Sequence, residues 1–309
     1  MSNCWCTVTA VPELPDITIY IERLRALLHG HPLVRATLFS PFVLRSIDPP
    51  IAETHDRTVT GARRIGKRIV LELEGELYLV VHLMIAGRLK WQKLSSKVPR
   101  KIALVRFEFA HGALFLTEAS AKKRASLHVV RGEAGLGQFD RGGIEVMGCS
   151  PSQFRAALIR ENHTLKRALT DPRILSGIGN AYSDEILHRA RMSPFVQTHK
   201  LDDEGFERLY RATIDVLAEW IERLRAHTGD RFPERVTAFR DEMAVHGKYR
   251  QPCPVCQAPV QRIVYAQNEA NYCARCQTGG KLLADRALSR LLKKNWPRTL
   301  EELEERRST

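Results

Sequence analysis

Hydrophobic residues recur every three or four positions near the start of the chain, which is the spacing of one buried helix face. The pattern predicts a helix from Pro12 to His29, with Pro15 tolerated in its first turn and Gly30 ending it. The buried face would consist of Leu14, Ile17, Ile21, Leu24 and Leu28.

The next hundred residues follow a shorter period. Arg68–Glu74 and Glu76–His82 are β-branched or apolar runs joined at Gly75, which is a hairpin signal. Ile102–Phe109 and Ala113–Thr117 repeat this pattern around a second turn. Together the runs predict a largely antiparallel β-sandwich or barrel.

Helical spacing returns after residue 150. Ser150–Gln153 has the composition of a capping box with Pro at the first helical position. We expect helices over Phe154–Arg160, Thr164–Leu169 and Ala181–Arg189, and a long apolar helix face from Phe206 to Leu224. The sequence offers no apolar run of the roughly 18–20 residues that a membrane helix needs.

Charge then narrows the class of partner. The 309 residues include 48 Lys and Arg against 35 Asp and Glu, a net charge of +13. This excess favours a polyanion such as nucleic acid, although a basic surface also serves solubility alone. Three basic stretches, Arg63–Arg64, Lys97–Lys101 and Lys122–Arg124, are expected in connections between strands, where they would be solvated or face phosphates.

The cysteines indicate a metal site. Cys253 and Cys256 form one CxxC pair, and Cys273 and Cys276 form a second. Two such pairs supply four thiolates to one tetrahedral ion, which predicts a structural zinc site with no open position for catalysis. The start of the chain has no secretory signal, so we expect a reducing, intracellular compartment.

Two further motifs are ambiguous on their own. Gly177–Asn180 precedes a helix and could cradle a phosphate, or could simply be a tight turn. If Pro12 were an N-terminus, its secondary amine could attack a sugar carbon and form a permanently charged iminium, with Glu13 moving protons. Local sequence alone favours a simpler interpretation, a proline-capped helix start.

The order of the motifs is more specific than any one of them. Over about residues 12–280 the chain resembles the formamidopyrimidine-DNA glycosylase and endonuclease VIII family. The resemblance rests on Pro12-Glu-Leu-Pro-Asp16, Arg63-Arg-Ile-Gly-Lys67, His82-Leu-Met-Ile-Ala-Gly-Arg-Leu89, Gly177-Ile-Gly-Asn180 and the four cysteines. It implies an α+β multidomain fold: an N-terminal helix plus antiparallel β-sandwich, a helix–two-turn–helix domain and a C-terminal zinc finger.

The resemblance also implies site roles. Pro12 is expected to form a Schiff base with C1′ of the sugar, Glu13 to act as acid and base, and Lys67 to bind phosphate beside the lesion. The other expected DNA contacts are Asn180, Arg124, Lys248 and Asn268. The implied partner is damaged double-stranded DNA, whose target nucleotide must leave the stack before an amine reaches its sugar.

The chain departs from the family pattern in four places. Eleven residues precede Pro12, so we expect translation to begin at Val11 and the initiator to be removed. Asn268 stands where the family's finger usually has an arginine, and Arg262 or Arg275 would have to compensate. Glu118–Ser126 replaces the family's Asp-Pro-Arg-Arg-Phe-Gly, which leaves Arg124 or Lys123 to fill the gap of the flipped base without a Phe wedge.

The fourth departure is a charged tail in which Arg286–Lys294 and Glu301–Arg307 look helical. In the remaining gap-filling position, Ile85 falls at or next to the family's Met. The expected division of the chain is 1–11 extension, 12–140 β-sandwich catalytic domain, 150–245 helix–two-turn–helix domain, 246–280 zinc finger and 281–309 C-terminal extension.

The leading hypothesis is therefore a monomeric glycosylase and abasic-site lyase for oxidised purines, without membrane association, in a bacterial cytoplasm at the nucleoid. A close alternative is action on oxidised pyrimidines or bulkier adducts. A damaged-DNA-binding protein without catalysis gains ground if Pro12 is never exposed. A zinc-ribbon transcription or RNA factor explains only the cysteines and the charge.

Overall fold

The computed structural model describes residues 11–233, 236, 239–265, 268–284 and 297–308. These form two compact units, the first containing residues up to 141 together with 220–238, the second 142–219 and the residues from 239 onward. Cys4, Cys6 and the expected helix Arg286–Lys294 lie outside the described residues. The five domain bounds expected from the sequence remain a proposal.

The first unit begins with helix α1, Leu14–Leu28, which confirms the predicted first helix. Its aliphatic face is buried, with Ile17, Leu24 and Leu28 fully inaccessible to solvent. The face packs into the main core of the first unit. Burial of each such side chain contributes about 1.5–3 kcal/mol, so packing rather than intrinsic propensity holds this helix.

The β-structure of the first unit is a sandwich of two mainly antiparallel sheets, as the alternating pattern indicated. The strands are β1 Pro32–Leu33, β2 Arg35–Leu38, β3 Arg57–Ile65, β4 Arg68–Leu73, β5 Leu77–His82, β6 Gly87–Gln92, β7 Ala103–Phe109, β8 Gly112–Glu118 and β9 Ser126–Arg131. One sheet has the order β1-β3-β4-β5-β9 and the other β2-β7-β8-β6. Residues from both sheets and from α1 share one hydrophobic core. A short helix α2, Glu133–Leu136, follows the last strand.

One expectation about the basic stretches is wrong. Arg63 and Arg64 lie within β3 and not in a connection between strands. Arg63 is held on the sheet by an ion pair between its Nε and Glu72 Oε1 at 2.8 Å, and it also pairs with Glu133. Cross-strand pairing with an acid lets a basic residue occupy a strand face. Lys97–Lys101 and Lys122–Arg124 do lie between strands, as expected.

The second unit is helical and ends in a β-hairpin. Its elements are β10 Ile144–Glu145, α3 Pro151–Ile159, α4 Leu165–Thr170, β11 Leu175–Ser176, α5 Asn180–Arg189, α6 Asp203–Thr228, β12 Val260–Tyr265, β13 Asn268–Cys273, α7 Ala274–Thr278 and α8 Leu300–Ser308. The last residues of α6 belong to the first unit. The capping box at Ser150 is confirmed, because its hydroxyl accepts a bond from the Gln153 amide.

The turn between β5 and β6 brings backbone atoms close together. Met84 has a φ of +53°, and the Gly87 amide donates to the Leu83 carbonyl at 2.9 Å. A Cβ at Gly87 would lie 2.3 Å from that same carbonyl oxygen. Only glycine lets the chain close over Leu83 in this way.

Replacing Gly87 with alanine is therefore expected to destabilise the protein by about 1–3 kcal/mol, because backbone atoms must move apart. Gly137→Ala is the matched control, since Gly137 has a helical φ of −55° and nothing within 4 Å of the added methyl group. Thermal unfolding of both variants tests this. Equal melting temperatures for the two would contradict the steric explanation.

Candidate functional site

Pro12 and Glu13 lie at the start of α1 and are both buried, Glu13 with 2% of its surface exposed. Glu13 is the N-cap residue: its amide donates to Asp16 Oδ2 at 3.0 Å, and its carbonyl accepts from the Ile17 amide at 2.9 Å. The helix start thus fixes the backbone of this pair. In the 309-residue chain the nitrogen of Pro12 is an amide nitrogen.

A buried acid links this helix start to the β5–β6 turn. Asp16 is 1% exposed; burial lowers the pKa of Arg88, and the charges of Tyr20 and Asp16 oppose this shift only in part. The guanidinium of Arg88 donates to the carbonyls of Ile85 and Gly87 at 3.1 and 2.6 Å. Asp16 in α1 thus interacts electrostatically with a guanidinium that is bonded to the backbone of the β5–β6 turn.

Lys67 lies in the two-residue turn between β3 and β4, after Gly66 with its φ of +59°. The neighbouring Arg68 pairs across the sheet with His82. Burial, together with the charges of Arg68 and Lys67, lowers the pKa of His82 to about 4. His82 is consequently neutral at physiological pH, and the surroundings of Lys67 favour an anion over a second cation.

The segment after β8 is built around the carboxylate of Glu118. This side chain is 1% exposed and accepts bonds from the amides of Arg124 at 2.8 Å and Ala125 at 3.0 Å, and from the Ser120 hydroxyl at 2.9 Å. The ammonium group of Lys123 donates to the Glu118 carbonyl. Arg124 is exposed, so of the two gap-filling candidates the structure leaves Arg124 the better placed to reach a ligand.

In the second unit, Asn180 is the first residue of α5, the end of a helix at which the helix dipole is positive and favours anions. The preceding Gly177 has a φ of +87°, so the turn needs glycine there. The carbonyl of Asn180 accepts a bond from Lys166 Nζ at 2.7 Å, which fixes the helix start. The structure therefore shows the tight turn at this position, and phosphate binding by Asn180 stays a prediction.

The remaining expected contacts surround the finger. Lys248 is mostly covered and lies 3.8 Å from Asp241, while Asn268 begins β13 opposite Tyr265. Of the two arginines considered as replacements for the missing one, Arg262 stacks on Tyr249 and lies 3.7 Å from Glu269, and Arg275 donates to the Cys256 carbonyl at 3.4 Å. Both arginines therefore have partners within the finger, and their role as replacements stays a prediction.

The four cysteines meet as their spacing predicted. Their sulfur atoms all lie within 4.8 Å of one another, with Cys253 to Cys276 at 4.0 Å and Cys256 to Cys273 at 3.3 Å. Tetrahedral coordination at about 2.3 Å per sulfur requires sulfur–sulfur separations of roughly 3.8 Å, so the donor set fits one zinc-sized ion.

Helix α5 supplies a further contact to this cluster. His188 Nε2 lies 3.2 Å from the Cys253 sulfur, and both side chains are buried. A ring N–H directed at a thiolate sulfur stabilises its negative charge and orients it. The sequence pattern did not single out His188, because its partner lies 65 residues away.

The structure divides the expected residues between the units. Pro12, Glu13, Lys67 and Arg124 belong to the first, and Asn180, Lys248, Asn268 and the cysteines belong to the second. Sequence reasoning missed the buried acids Asp16, Glu118 and Asp184, which organise the segments around them. Among the described residues, no helix is both long and apolar enough to cross a membrane.

Three family models match the chain in succession. They are the formamidopyrimidine-DNA glycosylase N-terminal domain over residues 11–123, the formamidopyrimidine-DNA glycosylase H2TH domain over 147–231 and the zinc finger found in FPG and IleRS over 250–279. Their order agrees with the motif order.

Similar proteins belong to the same family as the matching models. A formamidopyrimidine-DNA glycosylase of Thermus thermophilus is 31% identical over 279 residues, covering 87% of this chain and all of the relative. A formamidopyrimidine-DNA glycosylase-like protein of Mycobacterium tuberculosis is 38% identical over 151 residues, 49% of this chain and 94% of the relative.

Solved structures show the same fold. A Lactococcus lactis Fpg in complex with DNA containing an abasic site superposes with a TM-score of 0.77 at 23% identity, covering 86% of this chain and 99% of the other. A complex of the wild-type L. lactis protein with DNA containing an oxidised pyrimidine gives 0.77 at 24%, covering 86% and 100%.

Replacing His188 with leucine is expected to weaken zinc retention by about 10- to 100-fold, because the Cys253 sulfur loses its hydrogen-bond donor. The measurement is competition between zinc-loaded protein and a chromogenic chelator. His227→Leu, on the exposed end of α6, is the control and should retain zinc normally. If both variants release zinc at the wild-type level, the His188 contact does not support the cluster.

Proposed function

Because the chain belongs to the formamidopyrimidine-DNA glycosylase and endonuclease VIII family, we propose that it is a base-excision repair enzyme that removes oxidised purines and then cuts the abasic strand. The observation that carries this proposal is the buried Pro12–Glu13 pair at the start of α1. It sets the one candidate nucleophile of the motif directly beside a carboxyl group, with Lys67 on the sheet against which α1 packs.

The proposed chemistry begins when the secondary amine of Pro12 attacks C1′ and the bond from C1′ to the damaged base breaks. The base leaves with the electron pair of that bond and takes up the proton that the Pro12 nitrogen releases. Glu13 protonates the sugar ring oxygen as the ring opens, which leaves an iminium joining Pro12 to C1′. This iminium has no N–H proton to lose, so it stays charged and accepts electrons. Loss of a proton from C2′ then expels the 3′ phosphate, and water hydrolyses the iminium to free Pro12.

This chemistry requires a free amine, since an amide nitrogen is not nucleophilic. We therefore propose that the active form has Pro12 as its N-terminal residue. While the Pro12 nitrogen stays in an amide bond, the same fold favours the alternative of a damaged-DNA-binding protein that does not catalyse. One covalent bond, the peptide bond between Val11 and Pro12, decides whether the Pro12 nitrogen can act as a nucleophile.

For DNA binding we propose that Lys67 and Asn180 hold phosphates while the target nucleotide leaves the stack, and that Lys248 and Asn268 add contacts from the finger side. Arg124 would enter the space left by the flipped base. An exposed guanidinium on a fixed backbone suits that role. A structural zinc ion held by the four cysteines would keep the finger folded. The protein would act as a monomer on damaged DNA in a bacterial cytoplasm.

Oxidised pyrimidines are the second candidate substrate. The segment organised by Glu118 contains no phenylalanine, so the family's aromatic wedge has no counterpart in Glu118–Ser126. Discrimination of the base opposite the lesion would then differ from that of relatives with the wedge. A panel of duplexes with single lesions and each opposite base separates these substrates.

The lyase assignment predicts a covalent adduct. Protein starting at Pro12, mixed with an abasic-site duplex and borohydride, should be trapped, while the intact 309-residue chain should not. Pro12→Gly should slow trapping, and Glu13→Gln should lower excision of a damaged base by about 10²- to 10⁴-fold while still allowing abasic-site adducts. Pro15→Ala, three residues along, is the control and should trap normally. Absence of an adduct with the Pro12-started protein would defeat the proposal.

Arg124 and Lys123 form a second test. Arg124→Ala should weaken binding to a duplex with an abasic-site analogue and lower the slope of log K against log salt by about 1, because one released counterion is lost. Lys123→Ala should leave that slope unchanged, since its ammonium group bonds to the Glu118 carbonyl. Binding titrations at several salt concentrations measure both. The opposite ranking would assign the contact to Lys123.

A further inference from the structure

Among the described residues of the second unit, Asp184 is the most deeply buried acid, with 1% of its surface exposed. Its Oδ1 accepts a bond from Lys166 Nζ at 2.5 Å, and its Oδ2 accepts from His246 Nδ1 at 2.8 Å and Asn271 Nδ2 at 3.2 Å. Burial alone would raise the pKa of Asp184, but Lys166 and His246 hold it below its ordinary value. The side chain is thus a carboxylate surrounded by three donors.

Filling a protein core with a charged group costs free energy of desolvation. A buried ion pair is often no more stable than well-packed apolar residues of similar volume, because desolvation offsets the attraction. A buried carboxylate does fix the orientation of its donors, because each donor must occupy a hydrogen-bonding position around the two oxygen atoms. The three donors come from α4, from the segment before the finger and from β13.

Each of the three donors is hydrogen-bonded to, or close in the chain to, a residue proposed to contact DNA. Lys166 also donates to the carbonyl of Asn180 at 2.7 Å. His246 precedes Lys248 by two residues, and Asn271 follows Asn268 by three within β13. The Asp184 carboxylate therefore bonds to three residues, and each of these is hydrogen-bonded to, or close in the chain to, one of the proposed DNA contacts.

A second acid secures the backbone independently. Glu185 accepts bonds from the amides of Ala244, Val245 and His246 at 2.8, 2.9 and 2.9 Å. The segment carrying Lys248 can therefore stay attached to α5 when Asp184 is altered. An Asp184 variant can therefore change the positions of side chains while this segment stays folded.

We propose that Asp184 is a positioning residue that fixes Asn180, Lys248 and Asn268 relative to one another, so that the three act on the DNA backbone as one unit. The proposal rests on the proposed function, because it assumes that these three residues contact DNA. Asp184 itself is buried and touches no substrate. Its effect is transmitted through Lys166, His246 and Asn271.

The test is a double-mutant cycle on the zinc-loaded full chain, measuring binding to a duplex with a tetrahydrofuran abasic analogue. Asp184→Asn should weaken binding about tenfold or more, and Asn180→Ala should weaken it alone but add little in the Asp184→Asn background. A merely structural effect would leave the two losses additive. Asp171→Asn, an ion-paired acid at the end of α4, is the matched control and should bind normally.

The outcomes are distinguishable. Additive losses, or wild-type binding by folded Asp184→Asn protein, would overturn the positioning role. If Asp184→Asn does not fold, Asn271→Ala removes one donor while the Lys166 ion pair stays, and its cycle with Lys248→Ala should be non-additive in the same way. Failure of the wild-type chain to prefer the abasic analogue over undamaged DNA would instead overturn the proposed function.

Discussion

A carboxylate removed from water must be surrounded by donors, since otherwise its burial costs several kcal/mol. This constraint shapes the functional segments of both units. Asp16 links the start of α1 to the β5–β6 turn through Arg88, Glu118 folds the segment that carries Arg124, and Asp184 and Glu185 hold the finger against α5. In each case the acid is buried in the protein and not solvated, and its interactions restrict the conformation of the chain around it.

The hydrophobic pattern predicted most of the architecture because regular elements depend on local spacing. The helix at 14–28, the strands β4, β5, β7 and β8 and the helices α3 to α6 follow from that spacing, and the cysteine cluster follows from two short motifs. The misplacement of Arg63 and Arg64 has a clear cause. Two adjacent arginines resemble a loop in the sequence, but Arg63 pairs with Glu72 on the neighbouring strand and with Glu133 in α2.

The buried acids could not be predicted in this way. An isolated aspartate or glutamate in a sequence is usually a solvated surface residue, and only its distant partners show otherwise. Asp184 and His246 are separated by 62 residues, and Asp184 and Asn271 by 87. The roles of Pro12, Glu13 and Asn180 came from the order of motifs and not from local composition, which favoured simpler interpretations at each position.

The Glu118 carboxylate has a consequence for how this protein can diversify. It holds its segment through backbone amides, which every residue except proline supplies, so the loop does not depend on the identity of the side chain at position 124. Natural variation or a saturation library at that position can therefore sample other side chains while the loop keeps its shape. The chemistry presented at position 124 can change separately from the fold of the sandwich.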